Sequence, residues 1–162
     1  LIQSDKTAPT IMKLSEMMRY MIYESDVPKV PLTSEIHYLK NFIDLQQLKK
    51  SKPQQISFTV TGYAEGKMIA PLLFVPFFEN AFKHGNLDDL EHGFMKSTLQ
   101  IESNKIIFKI ENTYILNTQK DKVGGIGLKN TKQRLALMYP NAHDLKYQKT
   151  ANKFEVYLEI DA

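Results

Sequence analysis

No cysteine occurs anywhere in the 162 residues, which excludes disulfides, thiolate metal centres and cysteine nucleophiles and suits a reducing compartment. No apolar run approaches the roughly 20 residues needed to span a bilayer, and no signal peptide is visible. Charge is equally restrained. With 21 basic and 18 acidic side chains the formal net charge is +3, which points to neither a nucleic acid nor a membrane surface. The short basic cluster Lys49-Lys50-Ser51-Lys52 falls where a helix is expected to end, and lysines there complement exposed carbonyls. Apolar residues, by contrast, make up 43% of the chain, enough for a core at this length. The chain starts with Leu1 rather than Met, so the expectation is a piece of a longer protein, with any membrane segment upstream.

Apolar residues at Ile11, Leu14, Met18, Met21 and Ile22 recur at spacings of three and four, predicting a helix over residues 9–25. Pro9 is tolerated in its first turn. Met17, Met18 and Met21 read as helix-packing surface suited to a dimer bundle. Pro28 and Pro31 mark a break, after which Thr33 is the expected N-cap of a helix to about residue 50. Ile36, Leu39, Phe42, Ile43, Leu45 and Leu48 cover more than half of that helix, predicting burial on two sides. Alternation then takes over: Ile56, Phe58 and Val60 form one face of a strand ending at Thr61-Gly62.

Pro71 is expected to open a third helix reaching Gly85, with Pro76 distorting its first turn. Strands are predicted over 97–102 and 105–112, joined at Ser103-Asn104. A polar, aperiodic loop over 113–123 follows, then a helix over 128–139 and strands over 145–149 and 154–160. The count from Thr33 onward is three helices against five strands. The fold class expected is therefore α+β, a two-layer sandwich with helices on one face of a mixed sheet, preceded by one helix.

Two segments carry chemistry. In Phe77-Phe78-Glu79-Asn80-Ala81-Phe82-Lys83-His84-Gly85, residues three and four apart share a helix face, so Asn80, Lys83 and His84 point to one side with Glu79 at the rim. The Asn80 amide oxygen suits a hard cation such as Mg²⁺ that bridges phosphates, and Lys83 can neutralise phosphate oxygens. In Gly124-Gly125-Ile126-Gly127-Leu128-Lys129-Asn130, glycines let backbone approach a ligand, and the helix start that follows favours an anion. The 113–123 loop between the two segments is placed to act as a lid. Lys129 and Arg134 can each reach a phosphate or simply solvate their helix, and His37, His92 and His143 read as surface residues.

Glu-Asn-Ala-x-Lys-His, a strand pair, a lid and Gly-x-Gly-Leu-x-Asn together resemble the ATP-binding domain of the GHKL superfamily, with its Bergerat fold. Leu14-Ser15-Glu16-Met17-Met18-Arg19-Tyr20, Phe42-Ile43-Asp44-Leu45-Gln46 and Arg134-Leu135-Ala136-Leu137-Met138-Tyr139-Pro140 resemble the LytS-like, LytTR-associated branch of sensor histidine kinases. The resemblance implies two parts: residues 1–30 from a dimerisation and phosphoacceptor hairpin, and residues 31–162 as the catalytic ATP-binding domain. It implies ATP and Mg²⁺ as cofactors. Asn80 would hold the metal, Glu79 would orient or activate the attacking group, and Lys83 and His84 would contact phosphates. Gly125, Gly127 and Leu128 would line the lid and phosphate path, with Asn130 just beyond. The implied partners are a response regulator of LytTR type and a second copy in a homodimer, with no nucleic acid. The implied location is the cytoplasmic portion of a bacterial inner-membrane sensor, membrane contact being made only by other segments.

Two departures from the family pattern stand out. Where the superfamily places the aspartate of Asp-x-Gly-x-Gly for adenine, the alternation of Ile106, Phe108 and Ile110 brings Asn112, which accepts hydrogen bonds without a charge and lacks the following glycines. The phosphoacceptor motif His-Phe-x-Phe-Asn-x-Leu-Asn is also absent, and by analogy would end just before Leu1. A GHKL serine kinase or ATPase, and a degenerate nucleotide-binding scaffold, are the alternative functions.

Overall fold

The computed structural model describes residues 4–50, 52–114 and 126–162. In chain order its elements are α1 (Ser4–Arg19), a π-helical turn (Tyr20–Glu24), β1 (Val30–Pro31), α2 (Leu32–Leu48), β2 (Gln55–Gly62), β3 (Met68–Ile69), α3 (Val75–His84), β4 (Phe94–Ile101), β5 (Lys105–Thr113), α4 (Ile126–Met138), β6 (His143–Lys149) and β7 (Lys153–Asp161). They fall into two compact units. One comprises Leu1–Pro53 with Glu65–Leu72, the other Gln54–Ala64 with Leu73–Ala162. Among the described residues no helix is long and apolar enough to cross a membrane.

In the first unit α1 packs along α2, but not through the stripe expected from the sequence. Ile11, Leu14, Met18, Met21 and Ile22 all remain exposed. The face turned to α2 is instead Lys13, Glu16, Met17 and Tyr20, also spaced by three and four. Lys13 pairs with Asp44, and Glu16 Oε2 accepts from Asn41 at 3.0 Å and meets His37 Nε2 at 3.0 Å. Tyr20 stacks at a tilt on Tyr38, centroids 5.1 Å apart, and donates its hydroxyl to the buried Glu35. Apolar periodicity shows that a face seeks cover; here the polar partners on α2 decide which face it meets.

Thr33 is not the N-cap of α2. The helix starts at Leu32, whose amide donates to the Lys67 carbonyl at 2.9 Å, so a backbone group beside the antiparallel β1–β3 pair satisfies the first orphan donor. Burial at Ile36, Leu39, Phe42 and Ile43 bears out the broad buried surface expected of this helix along its first three turns, but Leu45 is only half-buried and Leu48 is exposed.

The second unit holds a five-stranded sheet in the order β2-β4-β5-β7-β6, mixed because β2 and β4 run parallel and the other pairs antiparallel. Parallel neighbours need a crossover, and the chain between them contains α3. Helix α3 does not open at Pro71. Residues 71–74 form a turn with Leu72 at a φ of 54°, a left-handed conformation that no α-helix continues. Pro76 then falls at the helix start, where its missing amide hydrogen costs no bond and the anticipated distortion has no cause.

Strict alternation buries Met95, Ser97, Leu99 and Ile101 of β4, Ile106, Phe108, Ile110 and Asn112 of β5, and Phe154, Val156, Leu158 and Ile160 of β7. Phe108 is the hub, with ring centroids 4.8, 5.6 and 5.7 Å from Phe74, Phe77 and Phe78. The five-stranded mixed sheet, its helices and the one preceding helix are those expected from the sequence, although that helix begins at Ser4, so that Pro9 lies inside it and not in its first turn.

Candidate functional site

Helix α3 has two faces of opposite character. Val75, Phe77, Phe78 and Ala81 are buried, Asn80 is half-buried, and Glu79, Lys83 and His84 are exposed. The wheel argument for Asn80, Lys83 and His84 therefore holds locally, since burial of Phe77, Phe78 and Ala81 turns the 80–83–84 side outward. Lys83 and His84 occupy the last turn, where cationic groups meet the negative end of the helix dipole.

Gly85 closes the helix, its amide donating to the Ala81 carbonyl at 2.7 Å. Its backbone φ of −79° is open to any residue; space is what demands glycine. A Cβ there would stand 2.3 Å from Ala81 O and 3.2 Å from Asn112 Nδ2. Asn112, 1% exposed, is thus held against the end of α3. Its Nδ2 donates to the Thr113 carbonyl at 2.6 Å, while the Thr113 hydroxyl donates to Gly85 O and accepts from Phe94 N at 3.2 Å.

The connection from α3 to β4 is anchored as well. Asp89 Oδ1 accepts from the Glu91 and His92 amides at 3.1 Å each, and the His92 bond foremost holds the Asp89 carboxyl below its ordinary range. Gln54 Nε2 donates to Asp88 Oδ1 at 3.0 Å, tying the start of β2 to the same loop.

Helix α4 packs beside α3. At its start Gly127 is exposed with open space where a side chain would stand, Leu128 is half-buried and Asn130 is exposed. The buried Thr131 donates its hydroxyl to Gly127 O at 3.0 Å. Lys129 is exposed and Arg134 half-buried. Gly124, Gly125 and all of the expected lid beyond Tyr114 lie outside the described residues.

Geometry thus joins Asn112 to the Gly85 end of the Glu79–Gly85 segment and sets α4 alongside. It does not recruit the other histidines. His37 binds Glu16 and Asn41, His92 meets Asp89, and His143 Nδ1 lies 2.7 Å from Tyr139 O. Sequence reasoning passed over Thr113. A threonine at a strand end carries no motif, and its adjacency to Asn112 was the only available signal.

Comparison with known proteins bears on the fold. A family model described as histidine kinase matches residues 1–53. An uncharacterized sensor-like histidine kinase of Staphylococcus epidermidis is 29% identical over 83 residues, covering 51% of this chain and only 16% of that protein. Among solved structures, the histidine kinase domain of the blue-light activated kinase of Erythrobacter litoralis aligns over 98% of this chain and 80% of its own, with a TM-score of 0.59 and 15% identity. Histidine kinase AdeS of Acinetobacter baumannii aligns over 93% and 76%, with a TM-score of 0.57 and 15% identity. The catalytic domain of histidine kinase ThkA aligns over 82% and 93%, with a TM-score of 0.54 and 12% identity. At these identities the structures establish a shared fold, that of histidine kinase catalytic domains.

Proposed function

We propose that this chain is the ATP-binding catalytic part of a two-component sensor histidine kinase of the LytS-like branch. It binds Mg²⁺-ATP and presents the γ-phosphoryl to a histidine on a dimerisation hairpin, for relay to a response-regulator aspartate. The observation that carries this reading is the buried Asn112 lodged against Gly85, at the end of the helix bearing Glu79, Asn80, Lys83 and His84. Residue by residue this is the pairing the GHKL pattern requires: a base-reading polar group beside a helix of phosphate and metal contacts.

The donor set fits Mg²⁺ only together with a nucleotide. Among the described residues no three His, Asp or Glu side chains converge, so Asn80 would supply one amide oxygen and the phosphates the rest, as is usual for this ion. When bound, the metal neutralises phosphate charge. Lys83 and His84 add positive or donor groups one turn from Asn80, and the first turn of α4 at Gly127 and Leu128 would offer backbone amides to the phosphate chain, with Gly125 before it in sequence and Asn130 just beyond. Glu79, exposed beside Asn80, is placed to orient an incoming imidazole. Catalysis on this reading is positioning and charge neutralisation.

Residues 1–30 would belong to the hairpin and 31–162 to the catalytic domain. The exposed stripe of Ile11, Leu14, Met18, Met21 and Ile22 suits a homodimeric bundle. The response regulator would be of LytTR type, and any membrane anchor would belong to other segments of an inner-membrane sensor.

Asn112 favours one competing reading, a degenerate scaffold that does not turn over nucleotide, because an amide replaces the charged acceptor. Calorimetric titration separates the two. Saturable, Mg²⁺-dependent ATP binding that disappears in Asn80→Ala supports the kinase; no heat at saturating nucleotide sinks it.

A further inference from the structure

An asparagine in the base-reading position poses a problem that an aspartate does not. A carboxylate has only acceptors, so either orientation offers an oxygen to an exocyclic amine. A carboxamide has an acceptor edge and a donor edge, and a half-turn about its last bond exchanges them. With the oxygen toward the base it suits adenine, whose six-position carries an amine; with the nitrogen toward the base it suits guanine, which carries a carbonyl there. An Asn112 free to turn would therefore discriminate poorly.

The strand end supplies the restraint. Asn112 Nδ2 donates to the Thr113 carbonyl at 2.6 Å, so its donor edge is engaged and Oδ1 forms the opposite edge of the amide. The backbone that carries this carbonyl is tied on both sides of it. The Thr113 hydroxyl donates to Gly85 O and accepts from Phe94 N at 3.2 Å, joining the end of β5 to the end of α3 and the start of β4. The next residue, Tyr114, donates its amide to Asn152 O at 2.8 Å and carries Lys149 Nζ 4.0 Å above its ring. Gly85 closes the arrangement, because its bare Cα lets the Asn112 amide reach the position it occupies.

We propose that Thr113 is a positioning residue that locks the Asn112 carboxamide with its oxygen outward and so makes the site selective for adenine over guanine nucleotides. This rests on the reading that Asn112 faces the base. Thr113 touches no reacting atom. It acts by fixing the carbonyl to which the Asn112 donor edge is bound, and a neutral amide needs that fixing where a carboxylate would not.

The test compares wild type, Thr113→Val and Thr113→Ser. Each is titrated calorimetrically with Mg²⁺ and the non-hydrolysable analogues of ATP and GTP, with thermal unfolding as the control for folding. Loss of one well-placed hydrogen bond should narrow the ATP-to-GTP preference of the valine variant by about tenfold. Serine should restore it, because it keeps the hydroxyl; a purely structural role for Thr113 predicts a folded valine variant whose ATP-to-GTP ratio does not move. An unchanged ATP-to-GTP ratio in a folded Thr113→Val chain, with wild type still binding ATP, overturns the lock while leaving the kinase reading intact. Wild type that binds neither nucleotide overturns both. Independently of any variant, the Asn112 side-chain amide protons should exchange with solvent far more slowly than those of the exposed Asn130, and equal rates would contradict the lock.

Discussion

The amide nitrogen of Asn112 stands 3.2 Å from the place where a Cβ on Gly85 would lie. The end of α3 and the end of β5 are therefore in contact at a point that tolerates no added atom. In Gly85→Ala the new methyl would also meet Ala81 O at 2.3 Å, and both obstacles are fixed, one by the helix and one by Thr113. The expected cost is about 1–3 kcal/mol, as for other overpacked positions, read as a lower denaturation midpoint together with weakened nucleotide binding. A variant as stable and as competent as wild type would show that the contact is slack.

Most of the second unit was legible beforehand. Alternation at Ile106, Phe108 and Ile110 places Asn112 inward because the strand period is two, and the structure buries all four. Pro71 misled, since proline at a helix start is common and nothing local shows that Leu72 adopts a φ of 54°. The stripe on α1 reported an apolar face correctly, but periodicity of apolar residues says nothing of the second face, on which Glu16 and Tyr20 hydrogen bond to α2. Thr113 was invisible because its partners, Gly85 and Phe94, are distant in sequence and meet it only through their backbones.

Phe108 contacts three other phenylalanine rings and is fully buried. Phe108→Ala should destabilise the chain by about 3–5 kcal/mol, the range for emptying an aromatic site in a packed core. Urea denaturation measures it, and a loss below about 1 kcal/mol would mean that the sheet and α3 repack freely.

Glu35 is fully buried and accepts from the Tyr20 hydroxyl and from the Leu72 amide at 2.5 Å. Burial, then the neighbouring Glu35 charge, pushes the Tyr20 phenol far above its ordinary range. In Glu35→Ala two donors lose their acceptor, and Leu72 loses the bond that helps to hold its left-handed backbone. A cost of about 2–5 kcal/mol follows from two unsatisfied buried groups. Tyr20→Phe removes only one donor and should cost less; the reverse order would contradict the arrangement.

Hydrogen bonds from His37 and then Asn41 hold the Glu16 carboxyl below its ordinary value of 4.5. A lowered carboxylate stabilises the folded state above its unfolded value, and that contribution is lost as pH falls through the folded value. The denaturation midpoint of wild type should therefore fall more steeply below about pH 4.5 than that of Glu16→Gln. Parallel curves would show that the contact between Glu16 and α2 does not persist in solution.

The central claim, that this fold donates a phosphoryl group to a histidine, is tested most directly by phosphotransfer. The full-length protein is incubated with Mg²⁺ and ATP labelled at the γ-phosphorus. The account predicts label on a histidine, labile to acid and stable to alkali, and absent from Asn80→Ala. Acid-stable label on serine or threonine, or no label while ATP is demonstrably bound, would contradict it.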